Sequence, residues 1–433
     1  MAQLIRLNRL SKLDWYVRPG RSGSGRLAQL ISQNRTPCDG VVLDPTLWSR
    51  QSELASIAQG AGIETILDPR SLELSSAGGL ERPGISQLPW CTRPAHTAQA
   101  LGDVDARRRL VGPIAEFAVQ NSLSAVLAPT HFVETSDDPW LDIDDLLTVE
   151  LRHELDRRGG GDILVHRPLY VHSKLFRQLG SIEKLSSRLR TTHFAQLWLA
   201  VHPFGTMSSG SIALKRYIEA CRILGAVEVP LVAMRTGTVG LLLMAIGAVS
   251  AMECGITDGE GFDITHHTTP PRPPENGKPV IGSTPRIYIA SLGVFMTTRE
   301  ADVFFGVRGM KPRHLCQTGC CPRGYVDMVK KRVDHFLLSR KAEIARLSAI
   351  PPRLRGKIYL DEFLRPASDR AVAASRAHVR IPKVRVRLDD WRQTVSAILE
   401  DQQAVAQPAT TRVVEPNQRP AVGSLVPIRG DKE

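Results

Sequence analysis

A short run of apolar, β-forming residues that ends in a polar or turn residue and leads into a helical pattern recurs along this chain, and that rhythm constrains the fold more than any other feature. Eight such runs stand out, at residues 41–44, 64–68, 125–128, 163–166, 197–201, 230–234, 251–254 and 287–291. Amphipathic segments separate most of them, for example 142–158 with Ile143, Leu146, Leu147, Leu151 and Leu155 on one face. Near-continuous apolar strands alternating with helices predict parallel strands covered by helices. Eight units in about 290 residues fit a closed (β/α)8 TIM barrel of the α/β class, whose functional groups collect at the C-terminal strand ends. The alternative is an open doubly wound sheet, and no Gly-x-Gly-x-x-Gly fingerprint follows the first run to support it.

Residues 1–300 are assigned to the barrel, 301–376 to an appended zinc-binding and helical segment, and 377–433 to a basic, partly flexible tail. Within the appended segment, 326–350 reads as a basic amphipathic helix stopped by Pro351 and Pro352. The connection 255–285 is long, rich in Gly and Pro, and carries His266 and His267; loops of that length are usually functional or disordered.

Hydrophobic residues make up 42% of the chain and charged residues 23%, values of a folded globular protein. The longest apolar stretch, 238–252, falls short of the roughly 20 residues that a membrane span needs. The first residues alternate basic and apolar side chains, unlike a secretory signal, so a cytoplasmic location without membrane contact is expected. Lys and Arg total 56 against 44 Asp and Glu, and the net charge of +12 favours a polyanionic partner such as tRNA or DNA. A merely solubilising basic surface is the plainer reading of the same charge.

If the barrel is right, the strand ends place Asp68 and Glu253 at one mouth, with His131, His166, His202 and Arg235 around it to bind an anionic or heterocyclic substrate. Each has a structural alternative. Asp68 can cap the next turn, Glu253 can pair with Arg235, and a single His is more often structural. Seven cysteines, an odd number, argue against a disulfide framework. Cys316, Cys320, Cys321 and His335 supply the ligand types of a closed structural Zn2+ site at a nonstandard spacing, the alternative being a reactive or buried Cys pair.

Taken together, three segments resemble the tRNA-guanine transglycosylase superfamily: Ile66-Leu67-Asp68-Pro69-Arg70-Ser71, Pro230-Leu231-Val232-Ala233-Met234-Arg235-Thr236-Gly237-Thr238, and Ala251-Met252-Glu253-Cys254. The three Cys followed by His335 are similar to that family's zinc segment in order, though not in spacing. The resemblance implies base exchange on a purine-type base in tRNA or DNA, with Glu253 attacking the sugar C1′ and Asp68 managing protons. Two departures stand against it. Glu253 replaces the family's Asp, and the glycine turns that cradle the base are replaced by His166-Arg167-Pro168 and His202-Pro203-Phe204. The alternatives are a non-catalytic nucleic-acid-binding or scaffold relative, and a barrel enzyme acting on a small anionic metabolite.

Overall fold

Strand pairing in the computed structural model, which describes residues 12–256, 260–271 and 284–406, runs in one closed circle. The strands are β1 (Asp14–Arg18), β2 (Gly40–Leu43), β3 (Glu64–Leu67), β4 (Ala125–Leu127), β5 (Leu164–His172), β6 (Leu197–His202), β7 (Leu231–Met234) and β8 (Ala251–Gly255). Each is parallel to the next, and β8 pairs with β1 to close a (β/α)8 barrel.

Seven of the eight recurring runs supply barrel strands, and two corrections follow. The missing strand is β1, whose apolar core Trp15, Tyr16 and Val17 lies between Asp14 and Arg18, in a stretch where basic and apolar residues mix. The run at 287–291 belongs instead to an antiparallel hairpin, Arg286–Ile289 against Val294–Thr297, outside the barrel. Ile287, Tyr288 and Ile289 are all buried there, and that full burial imitates a barrel strand in sequence.

Alternation along each strand separates two apolar layers. Tyr16, Val42, Ile66, Leu127, Tyr170, Trp198, Val232 and Met234 fill the interior, while Trp15, Val41, Leu43, Leu67, Val126 and Leu199 face the helices. The Tyr16 and Trp198 rings meet at 4.8 Å inside the barrel. At Gly40 a Cβ would come within 2.6 Å of the Tyr16 ring, so only glycine fits.

The hairpin and the helix Arg332–Ser348 dock on the outside of β1. Phe336 packs edge-on to Trp15 at 6.2 Å and contacts Tyr288 and Phe295, while Asp334 pairs with Arg26 of the first barrel helix. The expected helix 326–350 is interrupted at Lys331, giving Tyr325–Lys330 and Arg332–Ser348. The expected tail also needs correction. Ile381–Ala406 is a helix of 26 residues. Its buried Ile381, Val384, Leu388, Trp391, Val395 and Ile398 recur at intervals of three and four, a stripe hidden by the intervening Arg, Lys and Asp. Residues 407–433 of that tail, residues 1–11, and 257–259 and 272–283 of the long connection lie outside the described residues. No described helix is long and apolar enough to cross a membrane.

Candidate active site

At the C-terminal mouth, residues from four strand ends meet in one ion network. Arg18, the last residue of β1, donates from Nη1 to Asp68 Oδ2 at 2.5 Å and from Nε to Glu253 Oε1 at 2.9 Å. The two expected carboxylates therefore converge on a single guanidinium. Arg70 Nη1 donates to Asp44 Oδ2 at 2.9 Å and its Nη2 to Glu73 Oε1 at 2.5 Å.

Each central carboxylate also holds a backbone amide. Asp68 Oδ1 accepts from Arg70 N at 2.9 Å, and Glu253 Oε2 accepts from Arg235 N at 3.0 Å. Both arginines lie in the left-handed region, with φ of 62° and 55°, a conformation that costs a side-chain-bearing residue about 1–2 kcal/mol. The carboxylates offset that strain.

Burial and charge oppose each other at Asp68. Burial works to raise its pKa, but the Arg18, Arg70 and Arg235 guanidinia and the Arg70 amide outweigh it and hold the carboxyl at about 2. Asp68 is thus an anion at neutral pH, and a poor proton donor. Arg235 is pulled below the ordinary arginine value by burial and by Arg18 and Arg70, and its Nε finds no hydrogen-bond partner among the described residues.

A segment of the long connection covers this network. Phe262 is 2% exposed and sits 5.6 Å from the Tyr170 ring of β5; Glu253 below it has no exposed surface. Glu260 passes over the end of β7 so closely that a Cβ on Gly237, at φ +62°, would lie 2.7 Å from its Cα. The Glu260 carbonyl accepts from Thr206 N at 2.6 Å, and Phe262 pairs with Phe204 across a short antiparallel bridge. Glu253 is closed off from solvent in this conformation.

Of the four expected substrate-binding residues, the structure brings two to the mouth. Arg235 is one. His202 is the other, accepting from Ile264 N at 3.3 Å through Nδ1 and standing 3.4 Å from Asp263. His166 is not at a strand end, because β5 continues to His172; it lies near the opposite end, 2.8 Å from Glu64 Oε1 at the start of β3. His131 is sealed in the wall, with Nδ1 2.6 Å from Asp144 and its ring stacked 3.7 Å from Trp140. Sequence reasoning passed over Arg18, Glu73 and the cover residue Phe262. Arg18 ends a strand that did not register as an apolar run, and Glu73 and Phe262 acquire meaning only from their distant partners.

The cysteine cluster is assembled as expected. Cys316 Sγ lies 3.3 Å from Cys320 Sγ, Cys320 Sγ 3.6 Å from Cys321 Sγ, and His335 Nδ1 3.5 Å from the sulfurs of both Cys320 and Cys321. The four ligand atoms lie within 4.8 Å of one another, an arrangement that can hold a metal ion. His335 Nε2 lies 2.9 Å from the Tyr288 carbonyl, so a proton on that nitrogen leaves Nδ1 free to ligate. His314, just before the cluster, turns to Ser291 Oγ at 2.8 Å instead.

A cavity of about 540 Å³ lies away from the mouth, between the appended helices and the barrel, bordered by Tyr288, Arg346, Tyr359 and Trp391. Of its carboxylates Glu343 and Glu362, the first already accepts from Tyr288 Oη at 2.9 Å. The paired carboxylates make the strand ends the stronger candidate.

No family model and no curated protein matches the chain. Among solved structures, a Penicillium canescens endo-1,4-beta-xylanase is 8% identical over 57% of this chain and 84% of its own, with a TM-score of 0.37. KGPDC from Streptococcus mutans is 10% identical over 59% and 93%, with a TM-score of 0.32. The carboxyl transferase domain of Rhizobium etli pyruvate carboxylase is 10% identical over 94% and 64%, with a TM-score of 0.39. Likenesses of this size carry no argument about activity, and the barrel stands on its own strand pairing.

Proposed function

We propose that this chain is a nucleic-acid base-exchange enzyme, a pentosyltransferase that displaces a purine-type base at C1′ in tRNA or DNA. The observation that carries the reading is the convergence of Asp68 and Glu253 on Arg18 at the strand ends, under an aromatic cover. Glu253 is the nucleophile, and Asp68 is a fixed anion beside the developing positive charge of the sugar. The net charge of +12 suits a phosphate backbone. The Cys316, Cys320, Cys321 and His335 set fits Zn2+, which would tie the hairpin to the helix Arg332–Ser348 and take no part in the reaction. Incubation with tRNA or duplex DNA and free guanine should give a covalent adduct on denaturing electrophoresis, absent in Glu253→Gln. Base exchange that survives intact in Glu253→Gln sinks the assignment.

One observation favours a second reading, a non-catalytic nucleic-acid-binding relative. Arg18 already satisfies both carboxylates, and each of them supports a left-handed arginine, which is work a purely structural network would do. Under that reading, salt-dependent binding to tRNA or DNA persists and no adduct forms.

A further inference from the structure

With Asp68 held as an anion, base exchange lacks a proton carrier among the central carboxylates, and the cover supplies a different group. The turn Thr265–Thr268 carries His267 inward, to 5% exposure. Its Nδ1 lies 2.8 Å from Glu73 Oε1, and Arg70 Nη2 donates to that same oxygen at 2.5 Å. A carboxylate on one ring nitrogen selects the tautomer, so the proton is assigned to Nδ1 and Nε2 points elsewhere with its lone pair. The charged groups facing the ring are Glu73 and Arg70 from the turn after β3 and Arg235 from the end of β7; the Phe262 ring lies 5.6 Å away.

We propose that His267, oriented by Glu73, is the proton carrier of this site, in the place that the family resemblance gives to Asp68. The inference rests on the base-exchange reading and deepens it. In the first half-reaction a Glu253 oxygen bonds to C1′ while the C1′–N bond breaks. The electron pair of that bond stays on the departing base, whose nitrogen takes a proton from the imidazolium. In the second, the incoming base gives its N–H proton to the neutral imidazole as its nitrogen bonds to C1′, and Glu253 leaves as a carboxylate. Protons and charge return to their starting values. Burial, ahead of Arg235 and Arg70, brings the His267 pKa down to about 4 despite Glu73, so the protonated form is a minor one at neutral pH. Adduct formation should accelerate as the pH falls toward that value.

The test is single-turnover adduct formation on tRNA and on duplex DNA between pH 5 and 8. Wild type should slow by about tenfold per pH unit, the behaviour of an acid working above its pKa. His267→Gln should be slower by about 10²–10⁴-fold at pH 5 and independent of pH, so that the gap narrows toward pH 8, with nucleic-acid binding unchanged. Glu73→Gln keeps an oxygen acceptor for Nδ1 and guards against a His267 variant that fails to fold; it should be slower than wild type and shift the profile to lower pH. A wild-type rate and profile in His267→Gln, or an unshifted profile in Glu73→Gln, overturns the proton role, while loss of the adduct in Glu253→Gln keeps base exchange standing. Absence of any adduct in wild type overturns both.

Discussion

At the strand ends Asp44, Asp68, Glu73 and Glu253 meet Arg18, Arg70 and Arg235, so the protein supplies the opposite charge itself. In the appended segment three thiols and an imidazole converge, and their sulfurs meet one another, the Thr318 hydroxyl and His335 Nδ1. The first cluster sets three guanidinia of its own against its four carboxylates, and the second has the form of a site completed by a cation from outside. The difference teaches that convergence of ionisable side chains alone does not identify a ligand site; the counter-charge must be located first.

The most severe way to break this contrast is to remove the metal expected in the appended segment. Purified protein should carry about one zinc per chain, and Cys320→Ser or a strong chelator should abolish it. The stabilisation lost should be several kcal/mol, the scale for structural zinc in isolated fingers being about 10–16 kcal/mol. Elemental analysis that finds no zinc in protein purified under reducing conditions would erase the contrast from that side.

The converse experiment removes the internal counter-charge. Arg18→Met leaves Asp68 and Glu253 buried without their shared cation and should cost about 3–5 kcal/mol in urea unfolding. Adding Asp68→Asn and Glu253→Gln to that variant should recover part of the loss, because no uncompensated charge then remains. An Arg18→Met protein as stable as wild type would show that water reaches the mouth.

A third effect is expected in acid, and it sharpens the comparison by separating two pH windows. Burial holds His96, His267 and His314 at about 4, below the ordinary value near 6.5. Their contribution is fully present above about pH 6.5 and is lost as pH falls through 4, since the unfolded chain takes up the protons first. Asp68, held at about 2, keeps its contribution until the pH drops below about 4. Thermal unfolding followed from pH 7 to pH 3 should show the first decline begin near pH 6.5, and His267→Ala should reduce it. A flat profile down to pH 4 would contradict the depressed histidines.

The barrel was legible because buried strands announce themselves as local apolar runs, and β2 to β8 each contain one. β1 escaped notice because its apolar core is largely aromatic and lies in a stretch where basic and apolar residues already mix, and the hairpin arm 286–289 deceived because it is buried as thoroughly as a barrel strand. Asp68, Glu253 and Arg235 could be placed from their positions at strand ends, and the four metal-type ligands from their residue types. His166 could not, since nothing local says that β5 runs on to His172. The Glu73–His267 pair spans 194 residues and the Arg18–Glu253 contact 235, distances at which no sequence window signals contact.

The helix Ile381–Ala406 returns to the barrel, where Trp391 Nε1 donates to the Ser209 carbonyl at 2.8 Å and Arg387 reaches Met207. That contact joins residues 182 apart in the chain, so during synthesis the loop after β6 emerges long before its latch exists. Between those two moments the ribosome adds the last two barrel strands, the cover and the cysteine segment, while the loop lacks this latch. This side of the mouth therefore docks only after synthesis has passed Trp391, and a nascent chain halted before Trp391 would present the loop without that fastening.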